Sequence, residues 1–571
     1  MAKSKKRKNS EPKKFVFRRN VDLGNLEAEH DRFLLKTFVE KEDYSIMMDM
    51  FSTRSILIGR TGIGKSALIC KLESEAQNVT RIEPEAMSLQ HLSNSTIIRY
   101  FNQLGVKLDL FYKVLWKHIF VVELIKLHFK DRNPNSNQVV NWFRERWEGD
   151  RSKKIALKYI EEWGDKFWET TEFQIKELEQ SLEQRYKIVG GGAVSDIFDY
   201  LNVSASAEKE SKNSNRILLE AKQKAQSVVN DSQLESLQQL LRYFKEEMFA
   251  KTQRKYYIVV DDLDKDWVDV EISYELIKAL IDVLKDLRVI KQVKIVIALR
   301  SNIEAKIFDQ SQSRVQREKY DQLFLELVWS EDELRTMMER RLALLMKDQY
   351  TNTTPTLEDI LPKQNRNKEE AFQYILDRTQ YKPREVLDFF NFCIQEGNGK
   401  SKFTWSILTS AEERFSTKRF DALRDEWYEN HGDLSVLTKF LIKGFSRFTI
   451  GDVHDKASTY FQEAILNEET TKLSLKIQKW FEIFGNNYQP VPIIKKVLHL
   501  LYSVGFLGIK SDPTSKPKYV YETYNPISVE DITKKTVFYI HPMYRKSMRV
   551  IKKSHKQIRE ENYGSSDLLD D

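Results

Sequence analysis

An α/β fold with an open parallel sheet is predicted, and three apolar runs predict it. Ser55-Ile56-Leu57-Ile58 leads into Gly59-Arg60-Thr61-Gly62-Ile63-Gly64-Lys65-Ser66 and then a helical pattern, Ala67 to Leu72. Tyr256-Tyr257-Ile258-Val259-Val260 runs into Asp261-Asp262-Leu263-Asp264, and Val293 to Leu299 runs into Arg300. Short apolar runs of this kind, separated by helical stretches, are how buried parallel strands read. A large helical insertion, a helical lid and a C-terminal winged helix complete the expected architecture.

The turn after the first strand carries the most specific chemistry. Gly59 to Ser66 has the G-x-x-x-x-G-K-[ST] spacing of a nucleotide-binding P-loop, placed between a strand and a helix as that motif requires. Glycines let successive backbone N–H groups curl around a phosphate, and the helix that follows aims its positive end at the same anion. Gly59, Arg60, Thr61, Gly62, Ile63, Gly64, Lys65 and Ser66 are therefore the expected ATP-binding residues. Lys65 would reach the β- and γ-phosphates, and the Ser66 hydroxyl would ligate Mg²⁺. The fold class expected is a P-loop NTPase of the additional-strand type.

Bulk properties bound the rest. At 571 residues the chain has room for three or four domains, and its 41% apolar and 31% charged residues suit a soluble protein with long exposed helices. No apolar run is long enough to span a membrane and no leader pattern is legible, so no membrane partner is expected. Two cysteines, Cys70 and Cys393, make no disulfide framework, and a reducing cytoplasmic setting fits. The net charge of +7 owes much to residues 1–20, a basic arm read as disordered in preference to a grip on nucleic acid. Residues 556–571 read as an acidic tail.

Between them the chain divides as follows. Residues 21–92 form the first part of the ATPase core, with an amphipathic cap helix from Asp31 to about Met50 and a strand at Val79-Thr80-Arg81-Ile82, closed by Pro84. Residues 93–250 read as a helical insertion; its tryptophans, among them Trp116 and Trp163, are core faces rather than ligand platforms. A break lies between Gly190 and Ser214, and a long helix from Ile217 to Phe249. Residues 251–330 return to the core. There Asp261 is the expected Mg²⁺ ligand, Asp262 or Asp264 the carboxylate that orients the attacking water, and Arg300 the reader of the γ-phosphate. The strand 293–299 is expected beside the P-loop strand, with ligand at the carboxyl ends.

Residues 331–430 form the helical lid. Pro383 fixes a helix entry there and leaves Arg384 at a helix start, a poor place for a cation unless an anion is near. Arg384 is thus a second phosphate sensor or the partner of Glu385 or Asp388. In residues 431–555, helix, strand, lysine-rich loop and strand outline the winged helix. Lys495, Lys496, Lys516 and Lys518 would face phosphates if it met DNA; packing as a regulatory lid is the preferred reading.

Taken together, Gly59 to Ser66, Asp261 to Asp264, Arg300, Pro383-Arg384 and the winged helix resemble a STAND or AAA+-type ATPase. The likeness is to a widespread bacterial P-loop family with KAP-like relatives, whose members begin with G-N-x-x-A-E, here Gly24 to Glu29, and end with I-H-P, here Ile540-His541-Pro542. The resemblance implies an ATP-hydrolysing switch of the kind that serves in anti-phage defence or stress response. It also implies that His541 contacts the β-phosphate of ADP. ATP, ADP and Mg²⁺ are the expected ligands, and a separately encoded protein effector the expected partner. A DNA-binding initiator or repair ATPase is the alternative function. An ATP-dependent homo-oligomer stays open, with Arg314 and Arg317 as candidate trans fingers.

Overall fold

Five parallel strands organise the first half of the chain. In the computed structural model these are β1 (Ile56–Gly59), β2 (Val79–Ile82), β3 (Tyr256–Val260), β4 (Val293–Arg300) and β5 (Phe324–Glu326), in the spatial order β2-β3-β4-β1-β5. The structure describes residues 15–84, 108–128, 151–164, 180, 231–250, 252–265, 270–310, 318–348, 356–365, 368–487, 489–510, 516–522 and 527–551. The break at 190–214, Arg314, Arg317 and the acidic tail lie outside them. β4 stands between β1 and β3, as the sequence leads one to expect. Ile56 pairs with Ile297 and Gly59 with Arg300 on one side; Val260 pairs with Ile297 on the other.

β1 and β3 are buried throughout and β4 in all but its last residue. Burial on both faces is what makes these strands near-continuously apolar, Lys294 of β4 apart, instead of alternating. The insertion supplies part of the cover. Its helix Asp109–His128 lies along the helix Val270–Leu287, where Trp116 Nε1 donates to the Leu276 carbonyl at 2.9 Å and Lys113 pairs with Asp282 at 2.8 Å. The side chains of Trp116, Phe120 and Leu124 in it are fully buried, so the described part of the insertion belongs to the sheet's own core. Its aromatic residues there are core, as read.

The cap helix departs from expectation. Asp31 to Met50 forms two short helices, α1 (Leu34–Thr37) and α2 (Glu42–Met48). The second is docked by its carboxyl end: Lys294 Nζ donates to the carbonyls of Ile46 (2.9 Å) and Asp49 (2.6 Å), and Tyr257 Oη to that of Met48 (2.9 Å). Lys294 lies inside a buried strand, and its ammonium is satisfied by a helix end, where cations are favoured.

The chain divides into two compact units. Glu27–His30 and Leu34–Val328 belong with the five-stranded sheet. The other unit takes the described residues up to Leu26, Asp31–Phe33, and those from Trp329 on. It contains the helices Glu331–Asp348, Pro383–Glu396 and Trp405–His431 and a small antiparallel sheet. That sheet contains β6 (Arg447–Phe448), β7 (Leu507–Ile509), β8 (Lys518–Tyr519) and β9 (Phe538–Ile540), ordered β6-β9-β7-β8. Three helices, Ile450–Leu466, Leu475–Asn487 and Pro490–Ser503, lie between β6 and β7 in sequence. Phe506 and Tyr544 stack at 5.1 Å beside Phe420 of the long helix.

The amino-terminal arm is ordered earlier than expected. Phe17 is fully buried, stacks on Phe403 at 4.5 Å, and exchanges backbone hydrogen bonds with Lys400 and Gly399. Its basic neighbours conceal one apolar anchor. Downstream, Gly24 (φ 122°) lies so close to the buried Arg341–Asp31 ion pair that a Cβ would sit 2.2 Å from Arg341 Nη1. Only glycine fits there.

Candidate functional site

The candidate site grows from the end of β1. After Gly59 the chain turns through Gly62 (φ 83°) and Gly64 (φ 110°), and the helix α3 (Lys65–Glu75) begins with Gly64 as its cap. Both positive φ values favour glycine, and they aim the turn's amides with the first N–H groups of α3. Ile63 is buried and packs over Gly59, where an added Cβ would meet its Cγ2 at 2.6 Å. Arg60, Thr61, Lys65 and Ser66 are half-buried. Lys65 Nζ donates to the carbonyls of Gly59 at 2.6 Å and Arg60 at 3.3 Å, so its ammonium is folded into the turn it follows.

Parallel pairing brings four more expected residues, Arg300, Asp261, Asp262 and Asp264, to the same end of the sheet. Arg300 is level with Gly59 across the β1–β4 ladder. Asp261 follows directly on β3, is 6% exposed, and accepts the N–H of Asp262 at 2.9 Å. Burial pushes its carboxyl up to about 6, against the hydrogen bond from Asp262 and the charge of Arg81, which act the other way. Asp264 forms an ion pair with Arg300. Asp262 stands in the left-handed region (φ 58°), with Lys265 Nζ 2.9 Å from its carboxylate.

Sequence reasoning passed over Arg81. It sits on β2, level with Val259 of the acidic strand, and its guanidinium lies 3.7 Å from Asp261, 3.2 Å from Glu73 of α3 and 3.7 Å from Glu29. The only signal for it was a cation inside the short strand Val79–Ile82. Cys70, also beside Arg81, is half-buried, and burial raises its thiol to about 11. That leaves it unreactive.

The two remaining expected residues belong to the other unit. Arg384 is in the first turn of the helix Pro383–Glu396, and its Nε donates to the Leu26 carbonyl at 3.0 Å. Glu385 and Asp388, its expected alternative partners, pair with Lys382 (3.3 Å) and with Lys418 and Arg419 (2.8 and 3.3 Å). Leu26 and Gly24 thus explain part of the G-N-x-x-A-E segment: Asn391 also holds the Leu23 N–H and the Gly24 carbonyl. His541 follows β9 and is 1% exposed. Its Nδ1 accepts the Met543 N–H at 3.1 Å, which puts the proton on Nε2, 2.8 Å from the Tyr521 hydroxyl. Tyr519 packs against the ring at 4.4 Å.

No group of three or more histidine, cysteine, aspartate or glutamate side chains among the described residues has metal-site geometry. No helix among them is long and apolar enough to cross a membrane. A domain family described as the FunZ-associated C-terminal helical domain matches residues 332–424, the helical stretch that begins the second unit's larger part. The chain is also similar to the transposon gamma-delta 80.3 kDa protein of Escherichia coli (strain K12), with 23% identity over 557 residues; the match takes in 91% of this chain and 66% of that protein.

Proposed function

We propose that this chain binds ATP with Mg²⁺ at the carboxyl end of the five-stranded sheet and hydrolyses it as a regulatory switch. The observation that carries the reading is the parallel order β2-β3-β4-β1-β5, with Gly59 level with Arg300 and Asp261 at the tip of β3. That order supports a P-loop NTPase of the additional-strand type, in which anion donors and acidic ligands meet where the strands end.

The residues present fit the ligands. The turn at Gly62–Ser66 puts backbone N–H groups at a helix start, and Lys65 can exchange its carbonyl partners for phosphate oxygens. Asp261 and Ser66 are hard oxygen ligands of the kind Mg²⁺ takes. Bound Mg²⁺ would supply charge neutralisation on the phosphates. Arg300, already set by Asp264, would add a cation beside the turn, and Asp262 would orient water. Nucleotide state would then be coupled to movement of the lid and the winged helix. The β6–β9 sheet with its three helices supports the winged-helix reading of the C-terminal part. A separately encoded effector, an ATP-dependent oligomer and a place in defence or stress response belong to this proposal through the family resemblance alone.

A DNA-binding role draws on the transposon origin of the relative and on Lys495, Lys496, Lys516 and Lys518. Weighing against it, the helix Pro490–Ser503 buries half of its residues, Lys496 packs over Trp480, and His499 is held by the Ile527 carbonyl at 2.9 Å beside Glu530. The switch is the better reading.

Lys65→Ala tests it. Equilibrium binding of a fluorescent ATP analogue should fall by about two orders of magnitude or more, the effect of removing a charge-assisted phosphate contact. Binding and turnover equal to the parent chain would overturn the proposal.

A further inference from the structure

Arg81 occupies the place a cation has to take when nothing else balances Asp261. A carboxylate 6% exposed at a strand tip carries a large desolvation cost unless a positive charge is close. Arg81 supplies that charge, but from 3.7 Å, beyond hydrogen-bond reach. Its side chain is 16% exposed, and Nε and Nη2 are buried with no hydrogen-bond partner among the described residues. Glu73 and Glu29 also hold the same guanidinium, at 3.2 and 3.7 Å. The group is thus held by charge among three carboxylates, with no fixed directional bond to Asp261. Such an arrangement can be re-aimed without breaking a hydrogen bond to Asp261.

We propose that Arg81 is the resident counter-cation of Asp261, that a divalent metal ion arriving at Asp261 competes with it electrostatically, and that Glu29 and Glu73 set the strength of that competition by holding the guanidinium back. The inference rests on Asp261 being the Mg²⁺ ligand of the nucleotide site proposed above. Two cations on one buried carboxylate repel, so Arg81 raises the metal concentration at which the site fills. Neutralising either glutamate releases Arg81 toward Asp261 and raises it further. Arg81 is a positioning residue in this scheme and touches no nucleotide.

The experiment is a Mg²⁺ titration of the full chain with a saturating non-hydrolysable fluorescent ATP analogue, with Mn²⁺ as a second, spectroscopically visible probe. Arg81→Gln should lower the half-saturating metal concentration by about tenfold, or about 1.4 kcal/mol. Glu29→Gln and Glu73→Gln should raise it by several-fold, and Arg81→Lys, which keeps the charge, should lie between Arg81→Gln and the parent chain. Affinity for the metal-free analogue should stay the same in all of them. A merely structural Arg81 would not give shifts of opposite sign. The inference is overturned if Arg81→Gln needs as much metal as the parent chain or more, or if the glutamate variants shift the same way as Arg81→Gln. Should Arg81→Gln fail to fold, the two glutamate variants decide alone, since their side chains are 40% and 33% exposed. A parent chain with no metal-dependent analogue binding refutes the site itself; metal-dependent binding without the split refutes only the role of Arg81.

Discussion

Lys65 and His541 both come just beyond a strand, and the two sheets treat them in opposite ways. Lys65 is half-buried and spends its ammonium on two carbonyls of its own turn. His541 is buried, with one ring nitrogen on Met543, the other on Tyr521, and an aromatic wall beside it. A backbone carbonyl can return to water when a phosphate takes its donor. The partners of His541 sit inside a core and have no substitute there. Availability to a ligand is decided by what a group would leave behind, and on that measure the two positions differ sharply.

His541→Ala breaks the comparison most forcefully. It opens a cavity and strands the Met543 N–H and Tyr521 hydroxyl, so the expected loss is about 3–4 kcal/mol of stability. Thermal unfolding should register that loss, while ADP affinity and release rate stay at parent values. The opposite outcome, an intact melting temperature with faster ADP release, would make His541 the phosphate contact that the family resemblance implies.

Asp261 tests the other side, where burial comes at the expense of the fold. Its carboxyl is raised from 3.8 to about 6. Below about pH 4 both folded and unfolded chains carry the proton; as pH rises from there the unfolded chain releases it first, so stability falls through the window and the loss is complete above about pH 6. The loss is about 3 kcal/mol at most. Asp261→Asn removes it, so the variant should melt higher than the parent at about pH 7.5 and match it near pH 4. The same substitution should abolish metal-dependent nucleotide binding. A melting difference that does not change with pH would refute the account.

These residues were legible in the sequence to different degrees, for physical reasons. Gly59 to Ser66 and the tip of β3 are local: their spacing, with a strand before and a helix or turn after, is the signal. The interval from Asp31 to Met50 misled because apolar spacing does not reveal where a helix stops; Lys294 and Tyr257, far along the chain, hold the end of α2. Arg81 was illegible for the same reason. Its meaning comes from Glu29, Glu73 and Asp261, which only the fold assembles. Phe17 hid among lysines and arginines, since one buried ring leaves no period to read.

The smallest stability effect is expected at Asp262, and it separates two carboxylates that the sequence left equivalent. Asp264 is already committed to Arg300. Asp262 is paired, among the described residues, with a half-exposed lysine, and its left-handed backbone turns it away from the path of β3. Surface pairs of that kind contribute little, and asparagine accepts the same backbone conformation, so Asp262→Asn should change stability by less than about 0.5 kcal/mol. If Asp262 orients the attacking water, turnover should nevertheless drop by about 100-fold or more with ATP affinity unchanged, as expected for a group that acts only in the transition state. Asp264→Asn should instead weaken nucleotide binding and turnover together, because it releases Arg300. Single-turnover hydrolysis beside equilibrium binding distinguishes these patterns. Full activity in Asp262→Asn, with a pure turnover defect in Asp264→Asn, would reverse the assignment and make the Arg300 pair the working end of the site.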